Sequence, residues 1–164
     1  MMKEVPVVER ETRELQIPIP HGHLAAQEWL PLSPEDPSRH LLLLHGYQDK
    51  AASFYNLVHS LDPRWNALGI DFTCHGLSLH FPQGALYVLS LFSLDIAGTV
   101  SHLGWERFCI VGHSMGAHCG FNYGALSPEK VGSAIMIGPC HVRCSPPAVP
   151  MAIVVGIITE VTVF

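Results

Sequence analysis

Short, predominantly apolar stretches recur along this chain at intervals that leave room for a helix between them. Leu41–Leu44 is a continuous apolar run, Trp65–Asp71 and Phe108–Val111 follow, and Val131–Ile137 is the fourth. Such runs, lacking strict alternation, are the pattern of strands buried on both faces. Between them the spacing changes to the helical period. Ser53 reads as the N-cap of a helix reaching about Leu61, stopped by Asp62-Pro63. Leu91, Leu94, Ile96, Val100 and Leu103 mark a helix over 89–103, with Gly104 suited to its end. A third helix is predicted over 114–126, stopped before Pro128. Upstream, Glu14–Pro18 alternates weakly and predicts an edge strand, with His23–Leu30 as its hairpin partner across Pro20-His21-Gly22. Pro31–Ser38 is a loop. Strands alternating with helices at this interval imply βαβ units and a mostly parallel sheet, so the class is α/β.

Past Gly138 the pattern changes. Pro139, Pro146, Pro147 and Pro150 interrupt the chain, and Met151–Phe164 is β-prone without a helix partner. That run is either one more strand or an unpaired tail, and an uncovered tail of this kind invites association.

Composition narrows the class. Of 164 residues 48% are hydrophobic and 14% charged, which excludes a disordered chain, a coiled coil and a collagen-like repeat. A net charge of −5 supplies no basic patch for phosphates, so no nucleic-acid partner is expected. The charges crowd toward the start, and so thin a polar coat afterwards suggests a doubly covered sheet core, or a piece of one. The charged N-terminus lacks the apolar core of a signal peptide, and no apolar stretch reaches the roughly 18 residues of a membrane span. Five cysteines at irregular spacing read as reduced thiols in a cytoplasmic setting. Cys140-His141-x-x-Cys144 resembles half a zinc site, but no second ligand pair follows at finger spacing, so neither metal nor other cofactor is expected.

Gly112-His113-Ser114-Met115-Gly116 carries the chemistry. A serine flanked by glycines two before and two after, placed between a buried strand and a helix, is the pattern of a nucleophile elbow. The turn strains the serine, and only tiny residues at the flanking positions let strand and helix pass. Ser114 Oγ would then stand at the carboxyl edge of the sheet, above a helix N-terminus that favours negative charge. His45-Gly46-Tyr47 ends the first buried strand at the same edge. The backbone N–H groups of Tyr47 and Met115 are the expected oxyanion hole, each donor stabilising a tetrahedral intermediate by about 3–4 kcal/mol. His45 is read as holding this loop rather than as a base.

A third element is Gly69-Ile70-Asp71-Phe72-Thr73-Cys74-His75-Gly76-Leu77-Ser78. With H-G, then D-x-x-G-x-G-x-S, then G-H-S-x-G in order, the chain resembles the α/β-hydrolase superfamily. More narrowly, Ile19–Trp29, Leu44–Phe54 and His75–His80 are similar to the serine-hydrolase-like proteins of animals. Cys74 stands where that pattern has glycine, which implies a strained loop. The resemblance implies an α/β-hydrolase fold with helices on both faces of the sheet and acyl transfer to a small-molecule ester, thioester or amide, since a serine at the elbow implies an acyl-enzyme.

A serine needs a base, and the base an orienting acid; in this superfamily they follow the serine in the order acid, then histidine. Downstream of Ser114 there is no aspartate, only Glu129, Glu160, His118 and His141. Glu129 falls at the wrong edge of the sheet and His118 runs away along the helix. His141, just past the fourth strand, is the base candidate that remains. The resemblance covers residues 13–138, preceded by a flexible 1–12 and followed by a divergent 139–164, so the expectation is an incomplete, truncated hydrolase that is weak or inactive. The rival is a catalytically silent binding or regulatory isoform. Either would leave the Val131–Ile137 strand as an exposed edge open to self-association, unless the tail covers part of it.

Overall fold

The computed structural model describes residues 9–32, 39–86, 88–138 and 152–156. Seven strands form one sheet: β1 (Thr12–Ile19), β2 (Gly22–Trp29), β3 (His40–Leu44), β4 (Asn66–Ile70), β5 (Phe108–His113), β6 (Val131–Ile137) and β7 (Ala152–Gly156). Their spatial order is β1-β2-β4-β3-β5-β6-β7. The β1–β2 hairpin and the β2–β4 pair are antiparallel, and the remaining pairs are parallel. The α/β expectation therefore holds, with the hairpin as an antiparallel flank on a parallel centre.

Alternation along each strand sorts the core into two layers. Leu42, Leu44, Leu68, Ile70, Ile110, Ala134 and Met136 point to the face covered by α2 (Leu89–Leu103) and α3 (Met115–Leu126), where Phe92, Ile96, Val100, Ala117 and Tyr123 meet them. Leu41, Leu43, Ala67 and Val111 point the other way, against Trp29 and the short α1 (Tyr55–Ser60) with its preceding turn. Helices thus cover both faces, and the central strands are apolar throughout because neither of their faces meets water. Gly104 ends α2 in the left-handed conformation, φ 66°, while Trp105 N–H donates to Val100 O at 3.2 Å, which satisfies the last turn.

Three expectations need revision. Ser53 caps no helix. It lies inside a 3₁₀ turn, Ala51–Phe54, and its hydroxyl donates to Asp49 Oδ1. The turn starts earlier because Asp71 Oδ1 takes the Ala51 N–H at 2.7 Å. Secondly, β6 is not the sheet edge, since β7 pairs with it in parallel from Ser133↔Ala152 to Ile137↔Gly156. The β-branched residues Ile153, Val154 and Val155 favour the extended state, and pairing satisfies the backbone of β6. The terminal strands of the described sheet are therefore β1 and β7. Thirdly, Arg10, inside the segment read as flexible, is 8% exposed and donates to the carbonyls of Leu61, Asp62 and Trp65.

Candidate active site

Register alone gathers the site. Leu44 pairs with Gly112, and His113 with Ile137, so β3, β5 and β6 release their chains side by side at one edge of the sheet. Between β5 and α3 the chain turns at a single residue. Ser114 has φ 50° and ψ −109°, a conformation that L-residues seldom adopt. Its N–H donates to Ile137 O at 2.8 Å, and its carbonyl accepts from His118 N–H at 3.2 Å as the helix begins. The two flanking glycines are sterically required. A Cβ on Gly112 would stand 2.7 Å from the Ala117 backbone, and one on Gly116 would fall on the carbonyl oxygens of Leu44 and His45.

The loop after β3 lies directly on this turn. A Cβ on Gly46 would be 2.9 Å from His113 Nδ1 and 3.5 Å from Ser114 Cβ, so the backbone there lies within contact distance of the serine. Gly138, at φ 95°, is also adjacent: a Cβ there would lie 3.6 Å from Ser114 N, an ordinary contact distance. The Tyr47 side chain is 58% exposed, whereas Met115, first residue of α3, is 9% exposed.

His45 is fully buried and both ring nitrogens are engaged. Nδ1 lies 2.7 Å from Gly46 O, and Phe72 N–H donates to Nε2 at 3.0 Å. A carbonyl accepts and an amide donates, so the ring must be the neutral Nδ1–H tautomer. Burial holds the His45 imidazole below its ordinary range, partly offset by the bond to Gly46 O. With no free lone pair the ring cannot take a proton from Ser114. It holds the loop instead.

The turn after β4 is held by polar side chains. Asp71, 7% exposed, accepts from Ala51 N–H at 2.7 Å and Leu77 N–H at 2.9 Å. Ser78 Oγ donates to Asp71 O at 2.5 Å and accepts from Ala25 N–H at 2.8 Å. Gly76, at φ 51°, leaves room for the Asp71 carboxylate. Cys74, at φ 65°, carries the strain expected where glycine is usual, and its sulfur accepts from Phe81 N–H at 3.4 Å. Asp95 of α2 is fully buried, and burial pushes its carboxyl up, against hydrogen bonds from Thr73 that pull it down. One signal was available for it: a lone acid on the apolar face of an otherwise uncharged helix.

The other candidates are not gathered. Glu129 is exposed in the turn before β6, at the far edge of the sheet, and His118 is one turn along α3. His113 is exposed beside Gly46. His141, Glu160, Cys140 and Cys144 lie outside the described residues. A cavity of about 620 Å³ opens instead beside the β1–β2 hairpin, lined by Gln16, Gln27, Lys50, Ala51, Asp71 and Leu77, and Ser114 does not line it. Among the described residues no helix is long and apolar enough to cross a membrane.

Sheet order, helix placement and a strained serine between strand and helix together define a hydrolase architecture, and the sequence agrees. Residues 39–153 match the family profile described as alpha/beta hydrolase fold, and the chain belongs to that family. Within it, the chain is 38% identical over 128 residues to a serine hydrolase-like protein of Danio rerio, covering 78% of this chain and 38% of that protein. It is 38% identical over 124 residues to a serine hydrolase-like protein of Homo sapiens, covering 76% of this chain and 59% of the relative. A crystal structure of a hypothetical protein from Pseudomonas aeruginosa PAO1 superposes with a TM-score of 0.67 at 35% identity, over 76% of this chain and 42% of that one. The chain therefore spans less than two thirds of each of these relatives.

Proposed function

We propose that Ser114 is the nucleophile of a serine hydrolase acting on small-molecule esters, thioesters or amides, and that the described residues carry the nucleophile and oxyanion half of the machinery. The observation that supports this best is the conformation of Ser114, φ 50° and ψ −109°, kept between glycines that nothing larger can replace. Strain of this kind concentrates where a side chain must be presented to a reacting group.

In this reading Ser114 Oγ attacks the acyl carbon, and the negative charge forms on the carbonyl oxygen. Met115 N–H, in the first turn of α3, is one donor to that oxygen, where the helix dipole adds to it. Tyr47 N–H is the other. Gly46 O and Tyr47 N–H belong to one planar trans peptide, so their directions are opposed. His45 Nδ1–H at 2.7 Å and Asp49 N–H at 3.3 Å hold Gly46 O on one side, which turns Tyr47 N–H to the other. Proton transfer is the step for which the described residues supply no partner, the base candidate His141 lying outside them. His45 has no lone pair to offer, and neither Glu129 nor His118 is placed to act with Ser114. The expected residue is an acceleration of about 10³–10⁴ over water, from the oxyanion hole and binding alone.

The test is a fluorophosphonate probe applied to the purified 164-residue chain beside Ser114→Ala. Slow, stoichiometric labelling that disappears in Ser114→Ala is the expected result. Absence of labelling in a chain shown to be folded by circular dichroism would overturn it and favour the catalytically silent isoform.

A further inference from the structure

Behind the loop after β3 stands a chain of buried polar groups that the proposed chemistry does not use. Asp95, fully buried on α2, accepts from both donors of one residue: Thr73 N–H at 2.9 Å and Thr73 Oγ1–H at 3.0 Å. Two parallel bonds fix Thr73 against rotation. The Thr73 carbonyl in turn lies 3.0 Å from Nδ1 of His75. A carbonyl can only accept, so Nδ1 carries the hydrogen and the ring plane is set by a residue that is itself clamped.

The His75 ring, 5% exposed, fills the space between α2 and the loop after β3. Its centroid is 5.7 Å from Phe92 on the helix side. On the loop side it is 5.1 Å from His45 and 5.8 Å from Tyr47, the latter met edge-on. These two loop residues flank Gly46, whose backbone lies against Ser114. An aromatic hydrocarbon would pack equally well in such surroundings. Burying a carboxylate, a hydroxyl and an imidazole there is expensive by comparison, and what the polar chain adds over an apolar filler is a fixed orientation.

We propose that His75 is a positioning residue for the Gly46–Tyr47 peptide, holding it against Ser114 at the end of a hydrogen-bonded chain that runs from Asp95 through Thr73. The proposal rests on the reading of that peptide as an oxyanion donor, and two separable measurements test it.

The first is the fluorophosphonate reaction of the full 164-residue chain, resolved into kinact, KI and labelled fraction, for wild type, His75→Ala, His75→Phe, Thr73→Val, Thr73→Ser and the exposed control Leu77→Ala. Misplacing an oxyanion donor acts on the reaction rather than on probe binding. His75→Ala is expected to lower kinact about tenfold or more, with KI and labelled fraction unchanged. His75→Phe, which keeps the ring but loses the bond to Thr73 O, falls between. Thr73→Val follows His75→Phe, while Thr73→Ser restores the wild-type rate. The second measurement is amide hydrogen exchange. Residues 45–50 exchange faster in His75→Ala while 40–44 keep their protection.

An unchanged kinact in His75→Ala, or a loss confined to the labelled fraction with exchange of 45–50 unaltered, would overturn the proposal. If wild type is not labelled at Ser114, the nucleophile reading fails, and exchange of 45–50 alone decides the role of His75. Should His75→Ala not fold, His75→Phe and Thr73→Val carry the decision.

Discussion

The turn at Ser114 and the two loops beside it are built by opposite means. The serine turn is shaped by what is missing: Gly112, Gly116 and Gly46 have no side chains, and one backbone bond, Ser114 N–H to Ile137 O, ties it to the sheet. The loops after β3 and β4 are shaped by what is buried: His45, Asp71, Thr73, His75, Ser78 and Asp95 spend their polar atoms on neighbouring backbone or on one another. Steric exclusion is stiff and indifferent to pH. Polar clamps are softer, and some titrate. A strained nucleophile demands the first kind of support, whereas donors that must be aimed at a developing charge are set by the second.

If this contrast is right, the largest effect comes from the glycines. Gly116→Ala would place a methyl on the carbonyls of Leu44 and His45, backbone on a central strand that cannot yield. Its expected cost exceeds about 3 kcal/mol, seen as loss of the urea unfolding transition or a large fall in its midpoint. A stability within error of wild type would show that the turn is not sterically set.

Next is Asp71→Ala, which strands the buried N–H of Ala51 and removes the acceptor of the Leu77 N–H. About 2–4 kcal/mol is expected, about 1–3 kcal/mol for the unsatisfied Ala51 N–H and about 1 kcal/mol for the lost Leu77 bond, measured by urea unfolding at neutral pH. A loss below 1 kcal/mol, roughly the value of one ordinary hydrogen bond, would remove the clamp from the account.

A smaller and pH-dependent effect separates the two kinds of support. Burial lowers the folded-state value of His45, so below the ordinary value of about 6.5 the unfolded chain binds more protons than the folded one. The His45 contribution is complete above that value and is lost as pH falls through the window beneath it. His40, stacked on Trp105 at 4.4 Å and also lowered by desolvation, acts in the same direction. Asp95, raised by burial, acts oppositely, favouring the fold at low pH and losing that advantage as pH rises through its window. His45→Asn, whose amide can still donate to Gly46 O, is therefore expected to flatten the fall in stability between about pH 7 and 5 without abolishing it. An unaltered slope would mean that His45 does not titrate on unfolding.

The smallest change is a gain. Cys74 at φ 65° carries left-handed strain, so Cys74→Gly is expected to stabilise by at most about 1 kcal/mol, the relief partly offset by the greater freedom of glycine when unfolded. Thermal unfolding checks it, and a clear destabilisation would show that the Phe81 bond to the sulfur outweighs the strain.

Legibility in the sequence followed the same division. The apolar runs 41–44, 108–111 and 131–137 and the helical periods around Ile96 and Ser114 are local patterns, and they located the sheet, α2 and α3. Glycine requirements were also legible, because G-x-S-x-G states them outright. What escaped were partnerships set by tertiary approach. Nothing local says that Asp71 takes the N–H of Ala51, twenty residues away, and displaces the Ser53 cap by starting the turn early. Nor does spacing reveal that Asp95 meets Thr73 across the β4–α2 connection. The pairing of 152–156 beside β6 was equally hidden, since a β-prone run without a partner in sequence does not declare which edge it joins.

The central claim, that Ser114 can attack but that the described residues offer it no effective base, is tested most directly by intact-mass spectrometry of the chain after exposure to p-nitrophenyl acetate. The account predicts a single acetyl group per chain, located on the peptide containing Ser114, absent in Ser114→Ala, and released slowly. Rapid multiple turnover abolished by Ser114→Ala would contradict the missing base, and acetylation that persists undiminished in Ser114→Ala would contradict the nucleophile.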